Sequence, residues 1–289
     1  MGRATIIGFS AVAMWALLAL FTDASGDIPP FLLSAITFAI GTLVGVVARL
    51  FMQAPARREA IPLQVWVIGI AGLFGYHFFY FTALRNAPAV EASLIAYLWP
   101  LLIVLGSALM PGERLQWHHV AGALLGLAGM FLIVTNGGKL AFDSRYMFGY
   151  AMAGVCAVIW SAYSLLSRRF PAVPTSIVTW FCAATSLLSL ICHLLLENTV
   201  LPVGPGEWLA VLGLGLMPVG AAFYAWDYGV KHGSIQVLGA ASYAAPLLST
   251  IILIVVGFSR PTPHILVACV LITAGAVLAA KSMLFKRRA

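Results

Sequence analysis

The chain has 289 residues, of which 62% are hydrophobic and 9% charged, whereas about a quarter of the residues in soluble domains are charged. So few charges cannot clothe a globule of this size in water, and the mean hydropathy of +1.01 agrees. A soluble, disordered or nucleic-acid-binding protein is excluded despite the formal net charge of +7, which fits basic loops held at an anionic cytoplasmic leaflet.

Crossing about 30 Å of hydrocarbon takes about 20 apolar residues. The chain divides into ten such runs, near 4–22, 29–52, 62–83, 89–110, 116–134, 146–167, 175–196, 206–229, 235–257 and 262–284. The first follows Arg3; Ala4–Leu20 is long for a signal-peptide core and no small-x-small cleavage site follows, so it reads as a membrane helix. Turn formers and charges separate the runs, as in Thr22-Asp23-Ala24-Ser25-Gly26-Asp27, Arg57-Arg58-Glu59 and Asn136-Gly137-Gly138-Lys139. The runs are continuous rather than alternating and far exceed a roughly ten-residue barrel strand. The expected fold is an all-α polytopic membrane protein with ten transmembrane helices.

Lys and Arg set the orientation. With the N-terminus inside, Arg3, Arg49, Arg57, Arg58, Arg114, Arg168, Arg169, Lys231, Lys281, Lys286, Arg287 and Arg288 fall at cytoplasmic ends. Only Arg85, Lys139, Arg145 and Arg260 fall outside. Both termini are therefore expected in the cytoplasm.

Residue n set beside n + 146 aligns the two halves without a gap over long stretches. Tyr97 meets Tyr243, Pro100 meets Pro246, Arg85 meets Lys231, Arg114 meets Arg260, His118 meets His264 and Gly129 meets Gly275. Trp15 meets Trp160 at a shift of 145. Two repeats are expected, residues 1–138 (helices 1–5) and 139–289 (helices 6–10). Five is odd, so the second repeat enters the membrane from the opposite side. Inverted repeats of this kind characterise transporters, whose substrate site lies near the midplane between the halves.

The five-plus-five pattern, Pro100 and Pro246, Pro111-Gly112-Glu113 before helix 5, and Gly122, Gly126 and Gly129 within it resemble the drug/metabolite transporter superfamily of the EamA type. The resemblance covers essentially the whole chain. Phe258-Ser259 departs from it where the second half would repeat Gly-Glu. Tyr97-Leu98-Trp99-Pro100 resembles the branch of bacterial inner-membrane aromatic amino acid exporters. That resemblance implies a small-molecule carrier.

Pro100 and Pro246 interrupt spans and free the carbonyls of Ala96 and Ser242, so they are the expected hinge or gating residues. Plain kinks are the alternative. Many aromatics fall inside spans, where a phenol or indole N–H needs a partner that hydrocarbon lacks. Tyr80, Tyr97, Trp160, Trp226 and Tyr243 recur at related positions of the two halves. These five are expected to line a central chamber and bind substrate, with Trp15, Tyr76, His77, Trp99, Tyr163 and Tyr224 around them. Stacking and cation–π contact suit such a cavity; core packing is the competing role for any single ring. His77 is the one strong titratable candidate at membrane depth. Asp227 and Lys231 are spaced to pair along one helix, and Glu91 stands near Arg85. His118, His119 and His264 read as interfacial rather than metal-binding.

Cys156, Cys182, Cys192 and Cys269 lie in apolar runs without CxxC spacing and read as packing residues. No cofactor or metal is expected. Helix 1 has no carboxylate before Asp23, which disfavours exchange of cationic drugs on a single Glu. Helices 4 and 9 carry no deep Lys or Arg, which disfavours phosphate esters. No catalytic constellation is present, so an enzyme is disfavoured. The expected function is secondary transport in a bacterial inner membrane, exporting neutral, preferentially aromatic amino acids by alternating access. Export of other neutral metabolites or hydrophobic drugs is the alternative, and monomer and homodimer are both compatible.

Overall fold

The computed structural model describes residues 2–51, 61–138, 140, 142–257, 260 and 262–284, with 283 and 284 as backbone alone. Arg57, Arg58, Glu59, Lys139, Lys286, Arg287 and Arg288 of the charge argument, and Phe258-Ser259, lie outside the described residues. Among the described residues all regular structure is helical. Among the described residues nine helices are long and apolar enough to span a membrane: α1 Arg3–Ala24, α2 Pro30–Phe51, α3 Leu63–Asn86, α4 Ala89–Leu109, α5 Trp117–Val134, α6 Ser144–Ser167, α7 Thr175–Leu196, α8 Pro205–His232 and α9 Ile235–Val256. The apolar α10, Pro263–Ala279, has 17 residues. The chain is a multi-pass membrane protein.

Helix pairing has the symmetry of two exchangeable halves. Pairs with this symmetry are α5 with α10, α2 with α7, α1 with α8, α3 with α6, and α4 with α9, beside further extensive packing of α4 on α6 and of α2 on α8. Exchanging the halves maps α1–α8 onto α6–α3 and the other three pairs onto themselves. Small residues permit the closest approach, as expected where lipid gives helices no hydrophobic drive to associate. A Cβ at Gly122 of α5 would stand 2.5 Å from the Gly275 carbonyl oxygen of α10, and the converse distance is the same.

Four helices depart from regular α geometry in two repeat-matched pairs. In α3 a π-helical turn spans Ala71–Gly75, and in α8 another spans Met217–Ala221. These segments match at the 146-residue shift, although only the second contains a proline, Pro218. Helix α4 breaks between Ala89–Ala96 and Trp99–Gly106, and α9 between Ile235–Ala241 and Ala244–Val256. Pro100 and Pro246 stand early in the segments after these breaks, where a missing N–H costs little. One expectation needs correction here: the Ser242 carbonyl is not free, because it accepts the Ala245 amide at 3.1 Å. The break tightens the chain and re-uses the acceptor that the proline released.

The halves are not identical. Helix α1 breaks after Trp15 and resumes at Leu18, whereas its counterpart α6 runs unbroken from Met147 to Ser167. After the break, Leu18, Ala19 and Thr22 of the second segment line a cavity.

Candidate functional site

A cavity of about 490 Å³ lies between α1, α2, α3, α4, α6, α8 and α9, within the roughly 300–1,000 Å³ usual for small-molecule sites. One mouth reaches the α1–α2 connection, where Thr22, Ser25, Gly26, Ile28 and Pro30 line it with Leu84 of α3. Towards the opposite end Val12, Trp226, Val230, Ile235 and Leu238 are fully buried and close the space off from that side. Among the described residues the lining contains no Asp, Glu, Lys or Arg.

The floor is a cluster of indoles. Trp15, Trp99, Trp160 and Trp226 come from α1, α4, α6 and α8, and every pair of them has ring centroids between 5.1 and 6.3 Å apart. Most are edge-to-face, the arrangement that ring quadrupoles favour. Trp15 Nε1 donates to the Pro218 carbonyl at 3.1 Å, so the π-turn of α8 supplies an acceptor at the cavity. Trp226 Nε1 donates to Ser164 Oγ at 3.0 Å. The indole N–H groups of Trp99 and Trp160 have no protein acceptor among the described residues, while both rings line the cavity.

The wall is made largely by α3. Tyr76 and Tyr80 stack at 5.9 Å with planes 9° apart, and Tyr76 reaches Trp160 at 5.5 Å. The Tyr80 hydroxyl bonds Ser93 Oγ at 3.3 Å. His77 Nδ1 lies 2.7 Å from the Leu73 carbonyl, so Nδ1 must carry its hydrogen, and Phe38 meets the ring edge-on at 5.0 Å. That contact fixes the imidazole plane.

Trp15, Tyr76, His77, Tyr80, Tyr97, Trp99 and Trp160 thus share one cavity. Of the five expected to line the chamber, Trp226 and Tyr243 need correction, and of the six expected around them Tyr163 and Tyr224 stand behind the lining. Trp226 is fully buried beneath the other indoles. Tyr243 is fully buried with its ring over Gly126 of α5, where a Cβ would meet it at 2.5 Å. Tyr163 packs in the same way over Gly72 in the π-turn of α3. The Tyr224 hydroxyl donates to the Gly41 carbonyl at 2.9 Å, fastening α8 to α2 away from the cavity. Pro100 and Pro246 also lie outside the lining.

Sequence reasoning passed over Ser34, Thr37 and Phe38 of α2, which share a helix face at i, i+3, i+4 spacing, and Pro218, Val219 and Phe223 of α8. Pro218 carried a signal, a third mid-span proline. Its repeat partner is Gly72, so no paired proline marks the position.

Two charge contacts can be compared with expectation. Asp227 and Lys231 pair within α8 at 2.9 Å, both side chains buried. Arg85 does not reach Glu91; it pairs with Glu197 beyond the end of α7 at 2.5 Å. Glu197 also accepts the Phe31 and Leu32 amides at the start of α2, and donors at a helix start draw a carboxylate strongly.

The EamA-like transporter family model matches residues 2–135 and again 147–281. The chain belongs to the EamA-like transporter family. It is 55% identical over 277 residues, 96% of each protein, to the aromatic amino acid exporter YddG of Ancylobacter novellus. It is 25% identical to the aromatic amino acid exporter YddG of Escherichia coli, over 86% of each chain. The probable terminal-alkyne amino-acid exporter of Streptantibioticus cattleyicolor is 26% identical over 89% of this chain and 85% of that one. A solved crystal structure with 55% sequence identity superposes with a TM-score of 0.92, covering 96% of this chain and 98% of the other.

Proposed function

We propose that this transporter exports large neutral amino acids, aromatic ones above all, from the bacterial cytoplasm. The cavity is the observation that carries the reading: rings from six helices line it, and among the described residues its lining has no Asp, Glu, Lys or Arg and its floor has two indole donors without a protein acceptor. A zwitterion is net neutral, so it enters such a site without the penalty of an unpaired charge. Its ring would stack on Tyr76 and Trp160, its ammonium would lie against aromatic faces, and the Trp99 and Trp160 N–H groups would donate to its carboxylate. Phosphate esters, which want fixed cations, find none there. The curated relatives that export amino acids support the same substrate class.

Alternating access follows from two halves, residues 1–138 and 139–289, in inverted topology. The Lys/Arg distribution supports cytoplasmic termini in a bacterial inner membrane, and so an outer-facing mouth for the cavity. In purified proteoliposomes loaded with unlabelled phenylalanine, external radiolabelled phenylalanine and tryptophan should accumulate by counterflow, saturably, while glucose 6-phosphate does not. Counterflow of a lipophilic dye with none of either amino acid would overturn the proposal in favour of drug export.

A further inference from the structure

The closed end of the cavity is tied by a polar cluster that spans both halves. Arg168, just after α6, donates through Nη1 to the carbonyls of Val230 at 2.7 Å and Gly233 at 2.8 Å, at the end of α8. Its Nη2 pairs with Glu113 in the α4–α5 connection. The second oxygen of Glu113 accepts Gln236 Nε2 at the start of α9, at 2.7 Å. Both charged side chains are mostly buried, at 21% and 15% exposed, where charge-assisted bonds are strong and a lone partner is costly. The Ser234 amide, bonded to Thr5 Oγ1 of α1 at 3.0 Å, adds a further tie between the halves.

Repeat symmetry asks what stands at the matching positions of the open end. Arg168 corresponds to Thr22 or Asp23, at shifts of 146 and 145; both are exposed, and Thr22 lines the mouth. Gln236 corresponds to Val90. Glu113 corresponds to Ser259, which lies outside the described residues and brings no formal charge by its chemistry. The open end does hold the Arg85–Glu197 pair, but that pair is made while the mouth is open, so it cannot be what shuts it.

We infer that the two gates are of different kinds. The inner gate is an ionic lock centred on Arg168 and Glu113. Among the described residues, the outer end holds no such charged pair at the matching positions. This rests on the alternating-access reading. A contact made in only one of two states biases the equilibrium towards that state, so the substrate-free carrier rests with its cavity open outward. The inner lock must then be broken for each loading from the cytoplasm.

Hydrogen–deuterium exchange on the full chain in lipid nanodiscs, without substrate, tests the lock separately from the identity of the cargo. Glu113→Gln should speed exchange of the peptides covering 110–116 and 230–236 by roughly tenfold, the range for loss of one charge-assisted bond. Peptides covering Leu18–Ala24 and Pro30–Phe38 should exchange more slowly, as the outer mouth closes. Glu113→Asp, which keeps the charge opposite Arg168, should stay closer to wild type than Glu113→Gln at both ends, whereas Arg85→Gln should leave the inner peptides unchanged. Unaltered inner exchange in Glu113→Gln, or faster exchange at both ends as in simple destabilisation, would overturn the inference. If the amino acid reading alone is wrong, counterflow will fail while this exchange response persists.

Discussion

Tyr97 and Tyr243 hold matching places in the two repeats, one within each helix break, and they meet different surroundings. Tyr97 lines the cavity, while Tyr243 is fully buried over Gly126. The same holds for Tyr80, which lines the cavity, and Trp226, its counterpart, which is sealed beneath the indole cluster. Sequence symmetry therefore does not make a symmetric site. With one mouth open, the halves must differ in conformation, and the first half lends the cavity most of its rings while Trp160 is the second half's main contribution.

Substitutions at matched positions can break that contrast. Trp160→Leu keeps apolar area but removes an indole that touches Tyr76, Trp15 and Trp99. It should raise the KM of aromatic amino acid counterflow by about thirtyfold, the upper end for a stacking or cation–π contact of about 2 kcal/mol. Tyr97→Leu should raise KM by roughly three- to tenfold on the same grounds, and Tyr243→Leu should leave KM within about twofold while lowering the melting temperature. Equal KM effects from the two tyrosines would erase the distinction between lining and packing. Gly126→Ala sharpens it further: the added methyl strikes the Tyr243 ring, so thermal stability should fall by about 1–3 kcal/mol with KM unchanged. The smallest effect is expected at the exposed Asp143–Arg145 pair. The Arg145 guanidinium holds the Asp143 carboxyl below its usual range, yet Asp143→Asn should change neither counterflow nor the melting temperature measurably, because surface pairs contribute little.

The membrane class, the span positions and the paired prolines were legible because apolar run length and ring-closing chemistry are local properties. The Asp227–Lys231 pair was legible for the same reason, being one helical turn apart. What the sequence hid depends on long-range placement. Glu113 and Arg168 lie far apart in the chain and look like ordinary loop charges until α6, α8 and α9 meet. Arg85 stood close in sequence to Glu91 but chose Glu197, whose position at the start of α2 only the fold reveals. The π-turns of α3 and α8 leave no common residue signature, since one is built on Gly72 and the other on Pro218. Among the rings, periodicity could put Trp226 and Tyr243 inside the protein, but it could not tell a cavity wall from the packing behind it.

The central claim is that a charge-free aromatic cavity selects aromatic amino acids for transport. It is tested most directly by tryptophan counterflow in proteoliposomes containing wild-type protein or Trp160→Leu, each checked for equal insertion and melting behaviour. The account predicts saturable tryptophan exchange in the wild type and a KM raised by about thirtyfold in the variant. Identical kinetics for the two proteins would contradict it and return these rings to helix packing.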